Sequence, residues 1–192
     1  MFVRHAETEE NSAGIIQGQI PGILSEDGKK QAELIAQRLK SVKIDCIYSS
    51  DLKRAIDTTQ RIAEYHPEAH VEFTPLLRER NYGRFQRQPE IEIPNWEKLY
   101  NDLDYRMPDG EKIQDVNDRL FEFLSQIFDK HQNETVLCVG HGFMGKVLVA
   151  ILMNIPVKDS PKLETIANAT ARHFAVNGYK KRKFITTDYG LI

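Results

Sequence analysis

The sequence predicts an α/β fold: a largely parallel sheet covered by helices on both faces, ending in an antiparallel hairpin. Three observations carry this. Short apolar runs that read as strands alternate with longer stretches whose apolar residues recur at helical spacing. Asn177-Gly178, a strong hairpin signal, lies between Thr165–Val176 and Tyr179–Thr187. Finally, the 192 residues contain no repeat, low-complexity tract or linker, which points to one domain over residues 1–192.

Taken in order, Phe2 and Val3 read as the end of a short buried strand. Its shortness suggests that the natural start lies a residue or so earlier. A loop follows from Glu9 to Ile23, with Gly14, Gly18, Pro21 and Gly22. Ser25 reads as the N-cap of a helix to Leu39, with Ala32, Leu34, Ile35, Ala36 and Leu39 as its apolar stripe. Ile44 to Ser49 reads as the second strand. Asp51 is expected to cap a helix running to about Tyr65, with Ile56, Thr59, Ile62 and Ala63 inward. His70 to Phe73 is a third short strand. Pro75 to Pro94 is irregular, and Trp96 to Leu103 fits a short helix. After the turn signal Pro108-Asp109-Gly110, Glu111 to Lys130 is helical, with Val116, Leu120, Phe123, Leu124, Ile127 and Phe128 on one face. Thr135 to Val139 is the fourth strand, and Phe143 to Met153 the helix after it.

Composition narrows the classes of function. A net charge of -2 argues against nucleic acid as a partner. No apolar run is long enough to span a bilayer, so no membrane partner is expected. No basic-then-apolar leader opens the chain. Cys46 and Cys138 sit in apolar strand runs and read as small core residues rather than a disulfide or a metal pair. A reduced cytoplasm is the expected compartment. No cluster has metal-ligand spacing, so neither metal nor other cofactor is expected.

In an open parallel sheet, ligands bind beyond the carboxyl ends of the strands. Arg4 and His5 follow the first strand. Ser49, Ser50 and Asp51 follow the second, with Arg54 on the next helix's first turn. Gly140-His141-Gly142 follows the fourth and opens a helix, whose N-terminus favours an anion. Each residue alone has a plainer reading: a surface histidine, a solvated arginine, a packed core histidine. Three strand ends carrying the same anion-seeking chemistry make coincidence a poor account. Imidazole can attack phosphorus while guanidinium holds the phosphoryl oxygens. Leu76 and Leu77 are expected to anchor a loop that projects Glu79, a candidate proton donor.

These stretches resemble the histidine phosphatase superfamily, whose members are phosphoglycerate-mutase-like. Arg4-His5-Ala6-Glu7-Thr8 with Asn11 is similar to its opening motif, with Ala6 in place of glycine. Gln17-Gly18, Leu24-Ser25 with Gly28, and Gln31-Ala32 resemble the next block. Ser49-Ser50-Asp51-Leu52 with Arg54-Ala55 and Thr58 resembles the second-strand block. Glu79 falls at the family's acid position, Gly140-His141-Gly142 at its second histidine, and Gly110-Glu111 at a short motif before the late helix. The resemblance covers nearly the whole chain and implies a three-layer α/β/α sandwich. It implies catalysis by His5, Glu79, His141, Arg4 and Arg54 through a phosphohistidine. It also implies substrate contacts from Asn11, Gln17, Gly18, Arg80, Tyr82 and Gly142.

The branch implied is a phosphatase of small phosphate monoesters. Ile15-Ile16-Gln17-Gly18-Gln19 and Leu77-Arg78-Glu79-Arg80 resemble fructose bisphosphatase-like members, which points to sugar phosphates. One rival is a mutase, since Glu79-Arg80-Asn81-Tyr82-Gly83 is close to the mutase form of the loop. Against it, Gln88 to Pro108 carries only Lys98 and Arg106 as basic residues, where mutases bear paired arginines. The other rival is a catalytically silent binding module, against which stand five retained catalytic positions. Arg87 stands at the pocket rim where many members have glycine. The resemblance is also compatible with a homodimer.

Overall fold

The computed structural model describes residues 1–180 and 183–191. Among them, six strands form one sheet: β1 (Phe2–Arg4), β2 (Cys46–Ser50), β3 (His70–Thr74), β4 (Val136–Gly140), β5 (Ala171–Lys180) and β6 (Lys183–Leu191), in the order β3-β2-β4-β1-β5-β6. The β1–β4, β2–β3 and β2–β4 pairs are parallel, whereas β5 runs antiparallel to both β1 and β6. The helices are α1 (Glu9–Ser12), α2 (Glu26–Leu39), α3 (Lys53–Ala63), α4 (Trp96–Asn101), α5 (Ile113–Lys130) and α6 (Gly142–Leu152).

The period-2 alternation of the strands builds the three layers. Val3, Ile47, Leu137 and Val139 face α2 and α3, where Ile35, Ala36, Leu39, Ala55 and Ile62 meet them. Phe2, Cys46, Tyr48 and Cys138 face α5 and α6, against Val116, Leu120, Phe123, Val147 and Leu148. Both cysteines are buried and free. Burying a side chain such as Ile35 or Leu120 stabilises by about 1.5–3 kcal/mol, so the two cores hold the helices against the sheet.

The Ser25 cap forms, its hydroxyl accepting from Gly28 N at 2.9 Å. Four local expectations are corrected. Leu34 is 55% exposed, because it falls off the arc that Ala32, Ile35, Ala36 and Leu39 bury. Asp51 does not cap α3: Leu52 holds that position, and the Asp51 carboxylate instead takes Arg78 Nη2 at 2.5 Å. The loop from Glu9 begins as a helical turn, because Thr8 and Asn11 form a capping box. The hairpin does not reverse at Asn177-Gly178. Pairing runs Val176↔Thr186, Gly178↔Ile185 and on to Lys180↔Lys183, so Asn177 is an extra residue in a bulge within β5. The Tyr179 and Phe184 rings, 4.9 Å apart, hold that longer register.

Register also places the chemistry. Arg4 pairs with Gly140 and Ser49 with Val139, so His5, His141 and Ser50 lie side by side beyond the strand ends. The His5 amide donates to Gly140 O at 2.9 Å, which fixes the level of one histidine against the other.

Candidate active site

His5 leaves the end of β1 and is 3% exposed. Its Nδ1 lies 2.7 Å from Ala6 O, an acceptor, so Nδ1 carries the proton and Nε2 keeps its lone pair. Arg54 Nε donates to that Nε2 at 3.2 Å and to His141 Nδ1 at 3.2 Å. His141 therefore holds its proton on Nε2, which donates to Ser50 Oγ at 2.8 Å. The two imidazole centroids are 5.1 Å apart. Burial first, and then the charges of Arg54 and Arg4, push His5 well below the ordinary histidine range; burial and Arg54 do the same to His141. Both rings are neutral at pH 7, the state in which a histidine is a nucleophile.

Arg54 stands on the first turn of α3, where a fully buried guanidinium needs anchors. Nη1 donates to Ile20 O at 2.9 Å and Nη2 to Gly18 O at 2.7 Å. Burial lowers it to about 10, so it stays charged at neutral pH. A guanidinium has five N–H donors, and these bonds leave some for an anion. Arg4 donates Nη1 to Ile166 O at 3.1 Å, while its Nε is buried without a partner. An unpaired buried donor is costly unless a ligand takes it.

Glu79 reaches the N-terminus of α6. One carboxylate oxygen accepts from Arg80 N at 2.8 Å and Met144 N at 2.9 Å, the other from Phe143 N at 2.9 Å. The loop behind it is clasped by Arg119 on α5. Arg119 donates to Leu76 O at 2.7 Å and to Glu79 O at 3.0 Å, and pairs with Glu111 at 3.0 Å.

A cleft of about 230 Å³ gathers Arg4, His5, Arg54 and Glu79, with Asn11, Gln17, Gly18, Tyr82 and Gly142 among its other lining residues. His141 is fully buried and not among the lining residues; it meets the site through Arg54 Nε. Asn11 Oδ1 caps α1 by accepting from Thr8 N at 3.2 Å. Gln17 Nε2 donates to Thr8 Oγ1 at 2.8 Å, and its Oε1 is buried and unpartnered. Gly18 has φ +55, and a Cβ there would sit 2.2 Å from Gln86 Oε1, so the carbonyl that anchors Arg54 depends on glycine. Arg80 is not brought to the cleft. Fully buried, it spends its guanidinium on Glu111 O, Tyr100 O and Tyr105 O. Arg87, expected at the rim, is not among the residues lining the cleft; it has φ 72, a left-handed backbone that glycine adopts freely.

Sequence reasoning missed several neighbours. Glu90, Trp96, Tyr100 and Thr165 complete the cleft wall, and Asn168 Nδ2 donates to His5 O at 2.8 Å. Glu7 and Asp109 are engaged elsewhere, by Ser25 Oγ at 2.8 Å and Arg84 at 2.6 Å. Among the described residues no group of three or more histidine, cysteine or acidic side chains is assembled to hold a metal. Nor is any helix there long and apolar enough to cross a membrane.

The two buried histidines set a pH dependence of stability. Their folded pKa lies below the ordinary value near 6.5, so the unfolded chain takes up protons first as pH falls. Their contribution is complete above about pH 6.5 and is lost below it, at up to about 1.4 kcal/mol per pH unit for each ring. Urea midpoints should fall between pH 7 and pH 5, and less steeply in His5→Ala. An equal slope in the variant would show that His5 charges within the fold.

The profile of the histidine phosphatase superfamily (branch 1) matches residues 1–185. The chain is 42% identical over 168 residues to a metal-independent phosphoserine phosphatase of Arabidopsis thaliana, covering 81% of this chain and 67% of that protein. It is 36% identical over 164 residues to a probable phosphoglycerate mutase of Cronobacter sakazakii, covering 81% and 74%. Among solved structures, a mycobacterial glucosyl-3-phosphoglycerate phosphatase superposes with a TM-score of 0.88 at 25% identity, covering 98% of this chain and 95% of that one. The chain belongs to the histidine phosphatase superfamily, branch 1. It is an enzyme, a phosphatase.

Proposed function

We propose that the chain hydrolyses small phosphate monoesters through a phosphohistidine on His5. The observation that carries this reading is the neutral His5 with its Nε2 lone pair toward Arg54, in a cleft shared with Arg4 and Glu79. Nε2 attacks phosphorus in line, forming an N–P bond as the ester P–O bond breaks. Arg4 and Arg54 stabilise the charge spread over the equatorial oxygens, with His141 holding Arg54 Nε in place through its Nδ1. Glu79 gives a proton to the departing alkoxide. As the carboxylate it then takes a proton from the water that displaces His5 from phosphorus.

The plant relative supports phosphoserine as one such ester. The sugar-phosphate expectation is supported by loop wording and by the name of the mycobacterial structure. The mutase reading lacks a grip for a second anionic group. Lys98 is exposed and does not line the cleft, and Arg106 pairs with Asp115 at 2.7 Å. Two free buried cysteines support a reducing compartment such as the cytoplasm.

Hydrolysis of phosphoserine and of an aryl phosphate tests the reading. Because no metal-ligand cluster is assembled among the described residues, turnover should be unchanged by excess chelator. Abolition by chelator with rescue by magnesium would overturn the mechanism. Rapid isomerisation of phosphoglycerates would promote the mutase reading, and no turnover of any ester the binding-module reading.

A further inference from the structure

The cleft is electrically lopsided. Its phosphate end carries Arg4 and Arg54. Glu90, Trp96, Tyr82 and Tyr100 also line the cleft, and Arg4 and Arg54 are the only arginine or lysine residues among its described lining. We infer that Glu90 and these three rings form a subsite for a cationic nitrogen on the alcohol half of the substrate, selecting phosphate esters of amino alcohols. This rests on the phosphatase reading and deepens it.

Among the described residues, the Glu90 side chain makes no hydrogen bond or salt bridge. Its amide is tied to Gly14 O at 3.0 Å, which holds the residue at the rim. Burial, then the charge of Glu79 and to a lesser degree that of Glu90, push the Tyr100 phenol far up, so the ring stays neutral. The rings form a continuous wall: Tyr82 and Trp96 centroids are 5.4 Å apart, Trp96 and Tyr100 5.8 Å. Aromatic faces beside a carboxylate attract an ammonium and offer nothing to a second anion. Two cations already stand over one face of these rings, Arg80 5.8 Å from the Tyr82 centroid and Lys146 over Tyr100, and both have main-chain partners. Lys146 Nζ lies 5.7 Å over the Tyr100 ring and donates to Pro161 O, and Arg80 is spent on main-chain carbonyls. Neither lines the cleft. An ester with a phosphate at one end and an ammonium at the other matches both ends.

The test is a matched pair, phosphoethanolamine and propyl phosphate, which differ by an ammonium in place of a methyl. Wild type should favour phosphoethanolamine in kcat/KM by roughly tenfold. Glu90→Gln should bring that ratio to near one, and Glu90→Lys should invert it. The ratio is internal to each protein, so a poorly folding variant does not distort it, and wild type alone already gives one arm. Equal kcat/KM for the two esters in wild type, or a ratio unchanged in Glu90→Gln, would overturn the subsite while propyl phosphate turnover upholds the phosphatase reading. Failure to hydrolyse either ester or an aryl phosphate would overturn both.

Discussion

His5→Ala loses turnover and covalent labelling together. Wild type exposed briefly to labelled substrate should acquire an acid-labile, base-stable phosphate, the signature of a phosphoramidate. The variant should acquire none, and its rate should fall roughly 10⁴-fold or more, as when other enzymes lose their nucleophile. The geometry leaves no substitute. His141 is the other imidazole at the site, but its Nε2–H is committed to Ser50. It also lies outside the cleft lining. His141→Ala should therefore differ in kind. The phosphoenzyme should still form, slowly, because the lost group holds Arg54, which stabilises charge, at a cost on the order of several kcal/mol. Labelling that persists in His5→Ala would place the nucleophile elsewhere.

What the sequence made legible follows from where each contact is specified. His5, His141 and Ser50 meet because of sheet register, and register follows from the alternation of buried residues along β1, β2 and β4. Strand-end residues could thus be placed together before any coordinates. Arg54 was legible for a related reason: the helix after β2 starts at the same sheet edge. The rest of the cleft wall was not. Glu90 comes from the irregular stretch, and although Trp96 and Tyr100 lie on the short helix the sequence predicts, nothing local says that this helix meets the cleft, where Ile16, Tyr82, Ile93, Trp96 and Met107 cluster. Asn168 reaches His5 O across 163 residues of sequence, a pairing with no local signal. The two misread turn signals share one cause. Asp51 and Asn177-Gly178 have strong local preferences, yet the ion pair to Arg78 and the Tyr179–Phe184 pairing outweigh them. Arg80 shows the reverse case. A motif position read as a substrate contact is occupied by a guanidinium holding the main-chain carbonyls of Glu111, Tyr100 and Tyr105.

Glu79→Gln should separate substrates by their leaving group. Expelling an alkoxide requires a proton, because the alcohol is a very weak acid; expelling nitrophenolate requires little help. The substitution keeps the side chain's shape but puts an amide NH₂ where a carboxylate oxygen accepts from backbone amides. Glu79 accepts three N–H groups, from Arg80, Phe143 and Met144, so Gln satisfies only part of that set. The loop itself stays clasped through Arg119 on Leu76 O and Glu79 O, which the substitution does not touch. With alkyl phosphates the first step should fall roughly 10²–10⁴-fold. With an aryl phosphate the first step should suffer far less, yet the phosphohistidine then lacks the base that activates water. A burst of nitrophenol, stoichiometric with the enzyme and followed by a slow phase, is the expected trace. The labelled phosphoenzyme should accumulate in the same mixture. A role in loop geometry alone would instead lower both substrates by a similar factor, with no burst. That outcome would remove Glu79 as the proton donor and leave Glu90 as the other carboxylate that lines the cleft.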